Sequence, residues 1–286
     1  MDKIRKIKVT LKSRPTFEGA GVRLKRAFGY VDESLDPFLL LDDFHSDNPQ
    51  DYVRGFPWHP HRGIETITYM LHGKIEHGDS LGNQGVILPN SVQWMTAGSG
   101  IIHQEMPKQN KKDTLLWGFQ LWANLPSSHK MMDPRYRDVK ESEIPELSLN
   151  NDTVKIKVIC GEINGTKGPV HDIITDPEYL DVTISSNSEF IHPIKEGYNV
   201  IAYTIAGEGN FDENKDQFLE KETLIIYRDG DSVKISTKNE PIRFLLISGK
   251  PLKESVAWRG PIVMNTDEEL RVAFQEYQNG TFIKHK

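Results

Sequence analysis

From residue 7 to about residue 250 the chain alternates short apolar runs with turn-forming residues, and a helical period is almost absent. Ile7, Val9 and Leu11 alternate with Lys6, Lys8 and Lys12, which predicts an edge strand with a solvated lysine face. Apolar runs follow at 64–71, 85–88, 92–96, 101–106 and 115–122. The turn signals His72-Gly73, Gly78-Asp79, Leu81-Gly82-Asn83, Pro89-Asn90 and Gly98-Ser99-Gly100 punctuate them. Short strands at spacings of ~8–12 residues predict an all-β sandwich or barrel. The polar, proline-bearing stretch 124–146 reads as a connection between halves. Strands resume at 154–160, 179–186, 198–206, 223–227, 233–236 and 242–248. One helix is predicted near the C-terminus. Thr266-x-x-Glu269 is a capping box, Leu270, Ala273, Phe274 and Tyr277 form an apolar stripe, and Asn279-Gly280 supplies the stop.

The second half echoes the first. Tyr69-Met-Leu-His-Gly73 is similar to Tyr203-Thr-Ile-Ala-Gly207, and Asn90-Ser91-Val92 to Asp231-Ser232-Val233. The expectation is a duplicated barrel, divided into residues 1–134 and 135–286.

Chemistry concentrates between Gly55 and Pro107. His59-x-His61 and His103-x-Glu105 are pairs two residues apart, which on a strand project to one face. Facing strands would bring three imidazoles and one carboxylate to a point, a set suited to a divalent transition metal. Unbroken alternation from His61 would turn Glu65 inward as well, as a further donor. The echo maps His59, His61 and Glu65 onto Pro193, Lys195 and Asn199, and His103 and Glu105 onto Phe244 and Leu246. None of these is kept as a ligand type, so the second barrel is expected to hold no such metal. His77, near a turn beside Asp79, reads as a surface residue, with a place behind the ligands as the alternative. Phe56 and Arg62 flank the first pair and are expected to border a substrate pocket.

Four protein ligands leave about two positions open on an octahedral ion, and an open position marks a working site. Iron(II) is the first choice among metals for oxygen chemistry on N/O ligands; manganese, nickel, copper and zinc stay open. Glu105 is the candidate general base toward a hydroxylated substrate.

Composition narrows the classes. The 286 residues are 37% hydrophobic and 27% charged, ordinary for a globular chain. A net charge of -6 argues against direct nucleic-acid binding. Cys160 is the single cysteine, which excludes an intrachain disulfide and fits a reducing compartment. No apolar run approaches the ~18 residues of a membrane span, and no signal-peptide pattern precedes the first strand. A cytoplasmic location is expected, with a nuclear one open.

The segments HPHRGIETITYMLHGKIEHGDSLGNQG and VQWMTAGSGIIHQEMP, with DPFLLLDDF and LWANLP, resemble the pirin family of the cupin superfamily. The resemblance spans essentially the whole chain. It implies two tandem cupin barrels of double-stranded, jelly-roll type with a few short helices. One metal, usually iron, would lie in the N-terminal barrel on His59, His61, His103 and Glu105, with Glu65 behind the ligands. It also implies a quercetin 2,3-dioxygenase-type activity, in which dioxygen opens a polyhydroxylated aromatic substrate. An alternative from the same family is a non-enzymatic, iron-dependent regulator that acts on a protein partner, as a transcription cofactor or a modulator of metabolic enzymes.

Overall fold

The computed structural model describes residues 3–108, 113–213 and 216–285. Its architecture is all-β and antiparallel throughout the named strands, with Asp267–Gln278 the one α-helix among the described residues. No described helix is long and apolar enough to cross a membrane.

Contacts divide the chain into two units that are not its successive halves. One comprises 14–31, 38–141 and 252–286; the other comprises 1–13, 32–37 and 142–251. The expected boundary at 134/135 therefore gives way to an exchange of ends. Backbone pairing explains it. Ile7–Lys12 completes a sheet edge against Thr223–Tyr227, and the tail packs Met264, Leu270 and Phe282 against Ile102. Val9 is exposed, because the register shifts between Ile7 and Val9 and turns it off the inward face expected for it.

The first unit, which carries both ligand pairs, is built from two sheets. One runs in the order Arg135–Val139, Val92–Thr96, Ile64–His72, Leu116–Asn124, Phe38–Ser46, Val22–Gly29 and Arg14–Glu18. The other runs Phe56–His61, Ile101–Pro107, Ile75–Asp79 and Gln84–Ile87. Leu24, Phe44, Met70 and Leu116 from the first sheet close a core with Ile75 and Ile87 from the second. The connection expected at 124–146 contains a strand, Arg135–Val139, paired to Val92–Thr96. It is half-exposed at an edge, so its residues carry little apolar pattern.

The C-terminal helix forms as its sequence dictates. The Thr266 hydroxyl accepts from the Glu269 amide, and the Glu269 carboxylate accepts from the Thr266 amide. Leu270 and Ala273 are buried, and Gly280 takes the left-handed conformation after the stop.

Both units follow the same strand path. Tyr69 pairs with Val92, and Tyr203 pairs with Leu224. Gly73 and Gly207 both adopt positive φ, at +77° and +75°. Val92 therefore corresponds to Leu224, one strand earlier than the Val233 expected from sequence; unequal loops had hidden the extra strand. Continued through the pairs His61–Ile101 and His59–His103 in one unit, and His192–Val233 and Phe190–Ile235 in the other, the correspondence sets His192 against His61. Phe190 stands against His59 and Ile235 against His103. These replace the earlier matches to Pro193, Lys195 and Phe244.

Candidate metal centre

The strand Ile101–Pro107 buries alternate residues, so Ile101, His103, Glu105 and Pro107 share one inward face. It lies between Phe56–His61 on one edge and Ile75–Asp79 on the other. His103 pairs directly with His59, and Ile101 with His61. A bulge between His103 and Glu105 brings Glu105 opposite Phe56 and beside His77.

The donor atoms of His59, His61 and His103 all lie within 4.8 Å of one another. The Nδ1 of His59 is 2.8 Å from the Pro57 carbonyl, and the Nδ1 of His61 is 3.0 Å from the Pro261 carbonyl. Each carbonyl can accept an N–H, which fixes the tautomer and leaves Nε2 as a lone-pair donor. Those two Nε2 atoms are 3.1 Å apart. Two nitrogens bound cis to one ion at about 2.1 Å each would stand about 3 Å apart, so the spacing fits a shared metal. The buried His103 adds a second sign, since among the described residues neither of its ring nitrogens has a hydrogen-bond partner. Burial holds all three imidazoles below their usual pKa, and His61 and His103 well below it, with neighbouring histidines adding to the effect. They are therefore neutral, as ligation requires.

Glu105 stands outside that three-histidine set. Its carboxylate is 2.9 Å from the Thr68 hydroxyl, and burial pushes its pKa up to about 7 despite that bond. Glu65 is buried too, but its oxygens accept from the Trp94 indole at 3.0 Å and the Thr96 hydroxyl at 2.8 Å. Its hydrogen bonds thus run into the sheet and to none of the histidines.

The alternation drawn from His61 through Glu65 breaks at Gly63. Its φ of +77° is left-handed, and a Cβ there would fall on the Val263 carbonyl. The strand that follows belongs to the other sheet, and its Thr68 reaches the site, on the face opposite to Glu65.

A cavity of about 650 Å³ opens beside these groups, lined by His59, His61, Glu105, Phe56, Trp122 and Trp258 among others. Phe56 borders this cavity. Arg62 does not. Its guanidinium is 2% exposed, donates to the carbonyls of Ser99 and Phe282 at 2.7 and 2.9 Å, and pairs with Glu276 at 2.7 Å. It also lies over the Phe282 ring at 4.2 Å. Arg62 is a buried anchor for the tail, and nothing in its local sequence distinguished that role. For His77 the surface reading gives way to the alternative behind the ligands. It is 4% exposed, edge-on to His103 at 5.4 Å and stacked on Tyr136 at 4.9 Å. The alternation with Ile75 signalled burial, but the following Gly78-Asp79 masked it. Thr68, Gln120 and Trp122 escaped sequence reading because they lie on strands distant along the chain.

Two family descriptions match the chain: pirin over residues 21–123, and the pirin C-terminal cupin domain over residues 179–283. A pirin-like protein of Caulobacter vibrioides is 40% identical over 281 residues, covering 98% of this chain and 99% of the relative. Human pirin is 40% identical over 284 residues, covering 98% and 94%. Among solved structures, a quercetin 2,3-dioxygenase from Acinetobacter baumannii superposes with a TM-score of 0.90 at 30% identity, covering 98% of each chain. The strand path, the histidine cluster and these relatives agree: the chain belongs to the pirin family, a bicupin with a site fit for a metal in one barrel.

Proposed function

We propose that this protein is an iron(II)-dependent dioxygenase of the quercetin 2,3-dioxygenase type, acting on a flavonol-like polyhydroxylated aromatic. The observation that carries this reading is the placement of neutral imidazoles and a buried carboxylate on the wall of an aromatic-lined cavity. The name of the Acinetobacter baumannii structure supports the substrate class. His59, His61 and His103 would hold the ion, with Glu105 as fourth ligand. Bound iron(II) supplies a redox-active Lewis acid with open positions for substrate oxygen and dioxygen.

The protein's own groups do the rest. Glu105, whose pKa burial raises to about 7 in the metal-free site, would accept the proton of a substrate hydroxyl on the oxygen not given to the ion and so favour the anionic substrate. Thr68 holds the Oε1 side of that carboxylate. Phe56, Trp122 and Trp258 present aromatic and apolar surface to the substrate rings. Burial of the site limits water.

The test is oxygen uptake and carbon monoxide release from quercetin by the iron(II)-loaded protein. Turnover is expected, and its loss in His59→Ala and Glu105→Ala. Absence of turnover in the wild type with iron, manganese, nickel, copper or zinc would overturn the enzyme reading in favour of a metal-dependent regulator.

A further inference from the structure

The second unit keeps a barrel mouth of its own. We propose that this mouth binds a small organic cation, an ammonium group on an apolar body, seated on Glu178.

A cavity of about 840 Å³ opens there, in the unit without the histidine cluster. Phe190 and His192 point inward from the strand Glu189–Pro193, whose alternate residues are exposed. The His192 ring stacks on Phe190 at 5.7 Å, with the planes 17° apart. His192 is buried and occupies the position that His61 holds in the first unit. Its neighbours there have changed chemistry: Phe190 and Ile235 stand where His59 and His103 stand in the first unit. One imidazole among apolar side chains does not chelate an ion.

What His192 retains is a carboxylate. Its Nε2 lies 2.8 Å from Oε2 of Glu178. That bond orients the carboxylate and leaves Oε1 without a hydrogen bond among the described residues. The other charged groups on the lining are largely spent on one another. Lys195 pairs with Asp176 at 2.5 Å, and Lys167 with Glu162 at 3.7 Å. His171 lies 3.4 Å from Asp172. The carboxylates Glu162, Asp172, Asp176 and Glu178 on the lining outnumber the lysines Lys167 and Lys195, even with Lys250 acting on Asp176. The field in the cavity therefore selects for cations and against anions. Apolar walls from Ile163, Ile194 and Phe190, and the Tyr198 ring at the lining, suit a hydrophobic body attached to the ammonium.

The test uses the full chain, stripped of metal by chelation, and three probes of one shape: benzylammonium, benzyl alcohol and benzoate. Calorimetric titration is expected to rank them in that order, with benzoate not bound. Glu178→Gln preserves size and the bond from His192, and is expected to weaken benzylammonium about tenfold or more, the loss of one charge-assisted hydrogen bond. His59→Ala is expected to leave that affinity unchanged, which separates this cavity from the one beside the metal centre. Raising the salt concentration on the unaltered protein should weaken benzylammonium and spare benzyl alcohol. That measurement keeps the test decisive if Glu178→Gln does not fold. Failure of benzylammonium to bind, benzoate binding as well as it does, affinity unchanged in Glu178→Gln, affinity insensitive to salt, or affinity lost in His59→Ala would each overturn the proposal.

Discussion

The Thr68 hydroxyl lies 2.9 Å from Oε1 of Glu105 and 2.8 Å from Oε1 of Gln120. A hydroxyl has one proton and can donate to only one of them. Either the Gln120 amide presents its NH2 to Thr68, or Glu105 carries the proton and donates to Thr68. Both arrangements tie the carboxylate of the site to a strand on the opposite sheet.

Removing that hydroxyl should loosen the carboxylate. Thr68→Val keeps the side-chain shape and deletes the bond, so metal affinity is expected to fall about tenfold. Competition against a chelator of known affinity would read it. Thr68→Ser should restore the affinity, which an effect of packing alone would not do.

Metal addition should stabilise the fold, since an ion held by preorganised histidines binds the native state alone. At a hundred times Kd the gain is about 2.7 kcal/mol. Thermal melts with and without iron(II) should show it. His61→Ala, which removes the donor oriented by Pro261, should abolish the shift while leaving the metal-free melt near that of the wild type.

The pH dependence has a definite sign. Folding raises the Glu105 pKa from 4.5 to about 7. Above pH 4.5 the unfolded chain has lost a proton that the folded chain keeps, so metal-free stability falls as pH rises to about 7, by about 3 kcal/mol for this group. His59, His61 and His103 are lowered, so they cost stability as pH falls through 6.5. An ion takes the carboxylate as an anion and the imidazoles as neutral groups, so its binding releases protons. Urea unfolding between pH 5 and 8 should show the stabilisation by metal growing with pH.

Arg62→Ala should separate anchoring from substrate contact. It leaves two buried carbonyls without their donor and Glu276 with Lys284 as its remaining cation, a loss of about 3 kcal/mol. The melting temperature should drop, while KM for quercetin and metal content per folded molecule stay unchanged. Phe56→Ala should do the reverse and raise KM.

Much of the fold was legible because apolar alternation marks a half-buried strand wherever the chain is regular. The runs at 92–96, 154–160 and 223–227 are strands with those bounds. The C-terminal helix was legible for another reason: its cap, stripe and stop all lie within fifteen residues or so of one another. The three histidines came together because strand spacing is local information. Arg62, His77 and Thr68 were not legible in the same way. Arg62 depends on Phe282, and Thr68 on Gln120, and no short-range pattern records such partners. The parity error at Glu65 has one cause, the left-handed Gly63, where two sheets exchange the chain. Edge strands such as Arg135–Val139 escaped notice because a half-solvated strand needs no apolar face.

The carbonyl that sets the tautomer of His61 belongs to Pro261, two hundred positions further on. During synthesis the histidines leave the ribosome well before the residue that orients one of them. A nascent chain stopped at residue 251 would carry all four donors yet lack Pro261, Val263 and Phe282. The donor set is thus encoded long before the contact that orients His61, and the geometry of the cluster waits on residues beyond 251.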